Sequence, residues 1–195
     1  MIYGWDVSTA IVGFTAFTNA GEWVASHHCD LRKADDVFED KASVLNYKAD
    51  RVMEFVEEMF DKYHDGTGDC HFVEDRLAGF SGGGSNAGTI MRLAAFNAMV
   101  CWMIWCKWRG VGHIGSIHPT TVKATMKSEG LLIPKGGDKK KLTLDWVKAR
   151  ESEFPVDKNR NDNPQPYCYD RADSYITGRA GYLLRKRFCK HAPRS

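Results

Sequence analysis

Two short apolar runs in this chain each end on a carboxylate, and that combination limits the fold more than any other feature. Asp6 closes Ile2-Tyr-Gly-Trp, and Glu74 closes His71-Phe-Val. Runs of this length and composition read as buried strands. An unpaired charge at the end of a buried strand is costly, so the fold must bring each acid a partner.

The remaining pattern predicts that fold. Ile2–Val7 and Ile11–Thr18 read as strands joined by a Ser-Thr-Ala turn, and Asn19-Ala-Gly21 leads into a third, Glu22–His28. Together they predict an antiparallel meander. Residues 40–63 predict a helix, with Val44, Val52, Phe55, Val56, Met59 and Phe60 at three- and four-residue spacing. After a polar loop, Cys70–Glu74 is the fourth strand. A Gly/Ser loop at 79–88 opens a helix over Ala87–Trp108 that is apolar almost all round, which predicts a central or interface position. Gly112–Ile117 is the fifth strand. Pro119 opens a short helix through Lys127. The Gly130–Asp138 loop, a Lys139–Phe154 helix, a Pro/Asn-rich loop to Tyr167 and a Tyr169–Phe188 helix complete the chain. The expectation is an α/β fold: a mixed five-stranded sheet with helices on both faces.

At 195 residues the chain fits a single domain, 1–195. Its longest apolar run, Leu93–Cys106, is shorter than the ~17–25 residues of a membrane span, so no membrane association is expected. The first residues lack a basic stretch followed by an apolar one, so the expected location is cytoplasmic. In that setting the six cysteines are expected to be reduced thiols. Neither His27-His28-Cys29 nor Cys70-His71 has zinc-ligand spacing. Charge is divided unevenly. Residues 1–75 carry 16 acidic and 6 basic side chains, whereas 76–195 carry 21 basic and 9 acidic. No acidic residue follows Asp173, while Arg179, Arg185, Lys186, Arg187, Lys190 and Arg194 do. A basic half of this kind suits a polyanionic partner, and the tail points to nucleic acid.

Asp170 and Asp173 sit at i and i+3, on one face of the last predicted helix. If the first and fourth strands are neighbours, Asp6 and Glu74 meet at one sheet edge and this helix can lay its aspartates over them. Taken alone, Asp170 would be an ordinary acid in a first helical turn. Four convergent carboxylates, however, repel one another unless cations lie between them. Mg²⁺, with Mn²⁺ able to substitute, accepts such an all-oxygen set. Two ions would activate water and steady the leaving oxygen of a phosphodiester.

Other signals are weaker. Gly82-Gly-Gly84-Ser-Asn-Ala87 matches a dinucleotide fingerprint, but the strand ends too early and no acid follows at ribose spacing. No nucleotide cofactor is expected, and the loop is read as approaching a DNA backbone. Trp102, Trp105 and Trp108 recur every three residues and favour core or dimer packing over base stacking. His118 reads as a loop-packing residue rather than a general base. Lys139, Lys140 and Lys141 open a helix, where cations oppose the dipole. That local cost favours a role facing phosphate.

Five segments in order carry a resemblance. Gly4-Trp-Asp6-Val-Ser8 with Gly13 resembles the opening motif of RuvC-type Holliday junction resolvases, and Phe72-Val-Glu74-Asp75 resembles their second acidic strand. Pro119-Thr-Thr-Val-Lys123, the lysine-led helix to Val147, and Asp170-Arg-Ala-Asp173 are similar to the family's later elements. The resemblance implies an RNase H-like fold and a metal-dependent endonuclease that acts as a homodimer on branched DNA, the four-way junction above all. It implies Asp6, Glu74, Asp170 and Asp173 as the catalytic, metal-binding carboxylates and Lys123 and Lys140 as phosphate contacts. Lys139, Lys141 and the tail residues Arg185, Lys186 and Arg187 are added from charge. Ser8 stands where the family usually has glycine, and Leu77 where bacterial members carry an aromatic; bacteriophage members diverge similarly. Other branched or flapped DNA, structured RNA, and a non-catalytic DNA-binding role are the alternatives. Asp6-Val-Ser-Thr9 is also similar to a phosphate-binding turn of actin-like ATPases, which need two such domains.

Overall fold

The computed structural model describes residues 1–37, 39–66, 68–75, 87–109 and 112–188, with the side chains at 35, 36, 87 and 186–188 excepted. Five strands, β1 (Ile2–Val7), β2 (Ile11–Phe17), β3 (Trp23–Asp30), β4 (Asp69–Glu74) and β5 (Gly112–Ile117), form one sheet in the order β3-β2-β1-β4-β5. β1–β3 are the antiparallel meander, while β4 runs parallel to β1 and β5 parallel to β4. The first and fourth strands are therefore neighbours, as convergence of Asp6 and Glu74 requires.

The period-2 alternation of β1 divides the interior into two layers. Tyr3, Trp5 and Val7 join Phe14, Val52, Val56 and Val100 in a core under α1 (Lys41–Tyr63) and α2 (Ala87–Lys107). Ile2, with Phe17 and Phe72, faces α3 (Pro119–Ser128), α4 (Lys139–Arg150) and α5 (Pro166–Phe188). Helices thus cover both faces. Asp40 caps α1 by accepting from the Ala42 and Ser43 amides. α4 stops at Arg150 rather than 154, because the chain turns at Glu151 and returns Phe154 to the core. A one-turn-scale 3-10 helix, Arg32–Asp36, was not expected.

One apolar helix is longer than the run Leu93–Cys106 alone predicts. Gly88–Lys107 has a mean hydropathy of 1.4 over its apolar window and is long enough to cross a membrane by length and composition. Its inward stripe, Phe96, Val100, Met103 and Ile104, nonetheless packs on the sheet as core. Met91, Trp102 and Trp105 remain exposed, whereas Trp108 is buried. The three tryptophans do not form one stripe.

On the other face α5 lies against the backbone of the sheet. A Cβ on Gly4 would come under 3.0 Å from the Ser174 carbonyl oxygen, and one on Gly13 equally close to that of Asp170. Gly178 and Gly181 repeat the arrangement from the helix side, against Gly4 and Phe72. Thr15 and Ser174 hydroxyls bond at 2.8 Å across the contact. Backbone obstacles cannot swing aside as a side chain can. Gly13→Ala should therefore cost about 1–3 kcal/mol in denaturant unfolding, the usual range for overpacking. Gly68→Ala, where a Cβ meets nothing within 4 Å, should be near neutral.

Candidate active site

Asp6 lies on the α5 face of β1, and its partner across the ladder is Gly13. Because the Asp170 backbone rests on Gly13, the first turns of α5 arrive beside Asp6. Oxygens of Asp6, Asp170 and Asp173 lie within 4.8 Å of one another. Asp6 and Asp170 are buried, at 2% and 7% exposure, and Asp173 is partly exposed. Among the described residues, this is the one group of metal-ligating side chains so closely spaced.

Arg171 pins this end of the helix. It donates to the Pro155 carbonyl, to Asp157 at 2.9 Å and to His28 Nδ1 at 3.2 Å. Burial and the Arg171 guanidinium push His28 down to about 4, so near neutral pH it is uncharged and accepts that bond.

Electrostatics mark Asp173. Burial raises its carboxyl well above the usual range, the Asp6 charge adds to this, Lys140 opposes it, and Glu74 and Asp170 raise it further. Lys140 Nζ donates to Asp170 at 3.2 Å. Burial pulls this ammonium down, but Asp170, Asp173 and Asp6 outweigh burial and hold it above the usual lysine value. Glu74 is not part of the tight trio, but its charge acts on Asp173 and the two line the larger cleft together. Its neighbour Asp75 acts on Cys101 of α2, so the two successive acids face different sides and it is Glu74 that lines the cleft with Asp173.

Two clefts meet here. One, of about 310 Å³, is lined by Asp6, Asp170, Asp173, Lys140, Ser8 and Arg32. The other, of about 1010 Å³, is lined by Glu74, Asp173, Lys123, Lys127, Lys135, Lys139 and Lys140. Asp173 and Lys140 are shared by both. The donor set is all oxygen and densely anionic, which suits hard divalent cations such as Mg²⁺ or Mn²⁺.

Lys123, Lys139 and Lys140 thus come together, while Lys141 does not. It pairs with Asp145 at 2.6 Å, because three successive helical residues cannot face one cleft. Arg185 stacks on Tyr182, roughly 18 Å along α5 from Asp173 at ~1.5 Å per residue. The side chains of Lys186 and Arg187, Leu77 and the Gly82–Gly84 loop lie outside the described residues. His118 caps α3, accepting from the Thr120 amide. Arg32, Lys127 and Lys135 were missed: none belongs to a motif that singles it out, and only tertiary packing gathers them.

Among solved structures, the yeast mitochondrial Holliday junction resolvase Ydc2 is similar, with a TM-score of 0.53 and 13% identity over 97% of this chain and 80% of that one. The fold is RNase H-like. No protein-family model matches the sequence, and no curated protein does.

A raised Asp173 means that the native state keeps a proton which the unfolded chain releases near the ordinary value of 3.8. Without divalent ions, stability should therefore fall as pH rises from there through the native value. Asp173→Asn should raise the metal-free Tm near pH 8 and leave it little changed near pH 4. Mg²⁺ or Mn²⁺ should stabilise the wild type, by about 2.7 kcal/mol at a hundred times Kd, and Asp6→Asn much less.

Proposed function

We propose that this chain is a divalent-metal-dependent, structure-selective DNA endonuclease that resolves four-way junctions by paired symmetric cuts. The observation that carries this reading is the carboxylate trio opening directly onto a lysine-lined cleft. A pure binding protein gains nothing from three clustered acids beside phosphate. The RNase H-like fold, shared with a protein described as a Holliday junction resolvase, supports the junction as substrate. Asp6, Asp170 and Asp173, joined by Glu74, would hold two divalent ions. Bound there, such ions lower the pKa of water and neutralise charge on the phosphoryl and leaving oxygens.

The chain's own residues do the rest. α5 holds two of the acids rigidly against the sheet, so the carboxylates need little reorganisation. Lys140 balances part of their charge and stands at the boundary of both clefts. Lys123, Lys127, Lys135 and Lys139 offer the phosphate backbone a positive floor, a largely sequence-independent and salt-sensitive attraction.

Paired cuts call for two sites in matching orientation, which a two-fold homodimer supplies. Met91, Trp102 and Trp105 on α2, exposed at 69%, 60% and 49%, are the surface we assign to the second copy.

Labelled four-way junction, fork, duplex and RNA hairpin, each with Mg²⁺ or EDTA, test the reading. Junction cleavage with Mg²⁺ alone is expected. Asp6→Asn and Glu74→Gln should cut at least about tenfold more slowly while binding DNA as well or better, since each loses a ligand and a charge that repels phosphate. Asp75→Asn should stay active. Lys123→Ala should flatten the salt dependence of binding by about one unit of slope. Light scattering should give twice 22.0 kDa for the wild type, and Trp102→Glu should reduce this to the monomer mass.

A further inference from the structure

The larger cleft has one wall of a different kind. α3 ends in a Schellman motif: the Gly130 amide donates to Lys127 and the Leu131 amide to Met126, with Gly130 left-handed at φ +92°. This locks Leu131 into the core, and Ile133 packs against the same cluster. Between them Leu132 is turned outward, 66% exposed. A Pro134–Gly137 backbone bond and left-handed Gly136 close the segment. The result is an apolar side chain on a braced support, at the mouth of a cleft lined by five lysines and two of the acids. A lone exposed leucine on a floppy loop would call for no explanation. One braced beside Lys123, Lys127, Lys135, Lys139 and Lys140 does.

Charge complementarity sets the occupant of the cleft as a phosphate backbone. A rigid aliphatic group that reaches past the backbone can pack on the face of a base, and apolar wedges inserted between base steps unstack them. We propose that Leu132 is a wedge that packs against an unstacked base at the branch point while the lysines hold the adjoining phosphates. This rests on the branched-DNA reading above and adds to it the device that opens the branch.

The test uses the full-length protein and a four-way junction with 2-aminopurine at each base flanking the branch, with Ca²⁺ in place of Mg²⁺ so that nothing is cut. Wild-type protein should raise the fluorescence roughly twofold or more at one or more of these positions as the base leaves its stack. Leu132→Ser should bind with the same salt slope, which the lysines set, yet leave the probe quenched; Leu132→Met should restore the signal. With Mg²⁺, Leu132→Ser should cut the intact junction about tenfold more slowly, equivalent to ~1.4 kcal/mol. On a junction whose branch bases are already unpaired, that deficit should vanish. Equal fluorescence from wild type and Leu132→Ser, or an equal deficit on both junctions, would overturn the wedge alone. Wild-type protein that does not bind the junction at all would overturn it together with the nuclease reading.

Discussion

The backbone contact between α5 and the first two strands is the constraint on which the site depends. At Gly4 and Gly13 the helix rests on the sheet with no side chain between them. Gly13 is the ladder partner of Asp6, so the point of closest approach is also the point where the carboxylates converge. Any lift of the helix would draw Asp170 and Asp173 away from Asp6 together. The Thr15–Ser174 bond resists rotation of the helix, and the Arg171 clamp resists its sliding. The precision of a site rich in charge is set by residues with almost no chemistry of their own.

This explains which parts could be read from sequence. Strand identities followed from short apolar runs and turn residues, and all five strands occur within about two residues of expectation. Gly13 could be noticed only as part of a motif, because close approach leaves no periodic trace. Asp170 taken alone looked like an ordinary first-turn acid; α5 begins at Pro166, and packing against Gly13 is what buries Asp170. The lysine run at 139–141 was legible as unfavourable at a helix start but not as divided. A helix turns about 100° per residue, so Lys140 reaches Asp170 while Lys141 pairs along its own helix with Asp145. Arg32, Lys127 and Lys135 gave no signal because a cleft is a product of tertiary packing.

Two acids in different parts of the fold, Asp69 on β4 and Asp173 on α5, show how environment separates structure from chemistry. Asp69 sits at the entry to β4, 2% exposed, and accepts from the Met1 ammonium at 3.1 Å, His64 at 2.7 Å and Trp108 Nε1 at 2.8 Å. Three donors occupy most of the roughly four acceptor sites of a carboxylate, which makes it a structural anchor. Nearby His71, fully buried and held well below the usual histidine value by desolvation, accepts from Trp5 Nε1 at 3.2 Å. Asp173 instead is driven toward its protonated form by desolvation first and then by the charges of Asp6, Glu74 and Asp170, with Lys140 opposing them. The sign of what surrounds each acid tells the two apart.

The same comparison shows why the acids and lysines belong to one site. A carboxylate trio held at close range destabilises the fold that carries it, and Lys140 offsets only part of that, with its side chain more than half exposed. The remaining repulsion can be relieved by cations, and the remaining positive charge lies on the cleft floor, where an anion can use it. Acid cluster and basic cleft share Asp173 and Lys140 as a common wall. A ligand that brings divalent cations to one side and phosphates to the other therefore satisfies both charge imbalances at once, and a nucleic-acid backbone with its counter-ions has that composition.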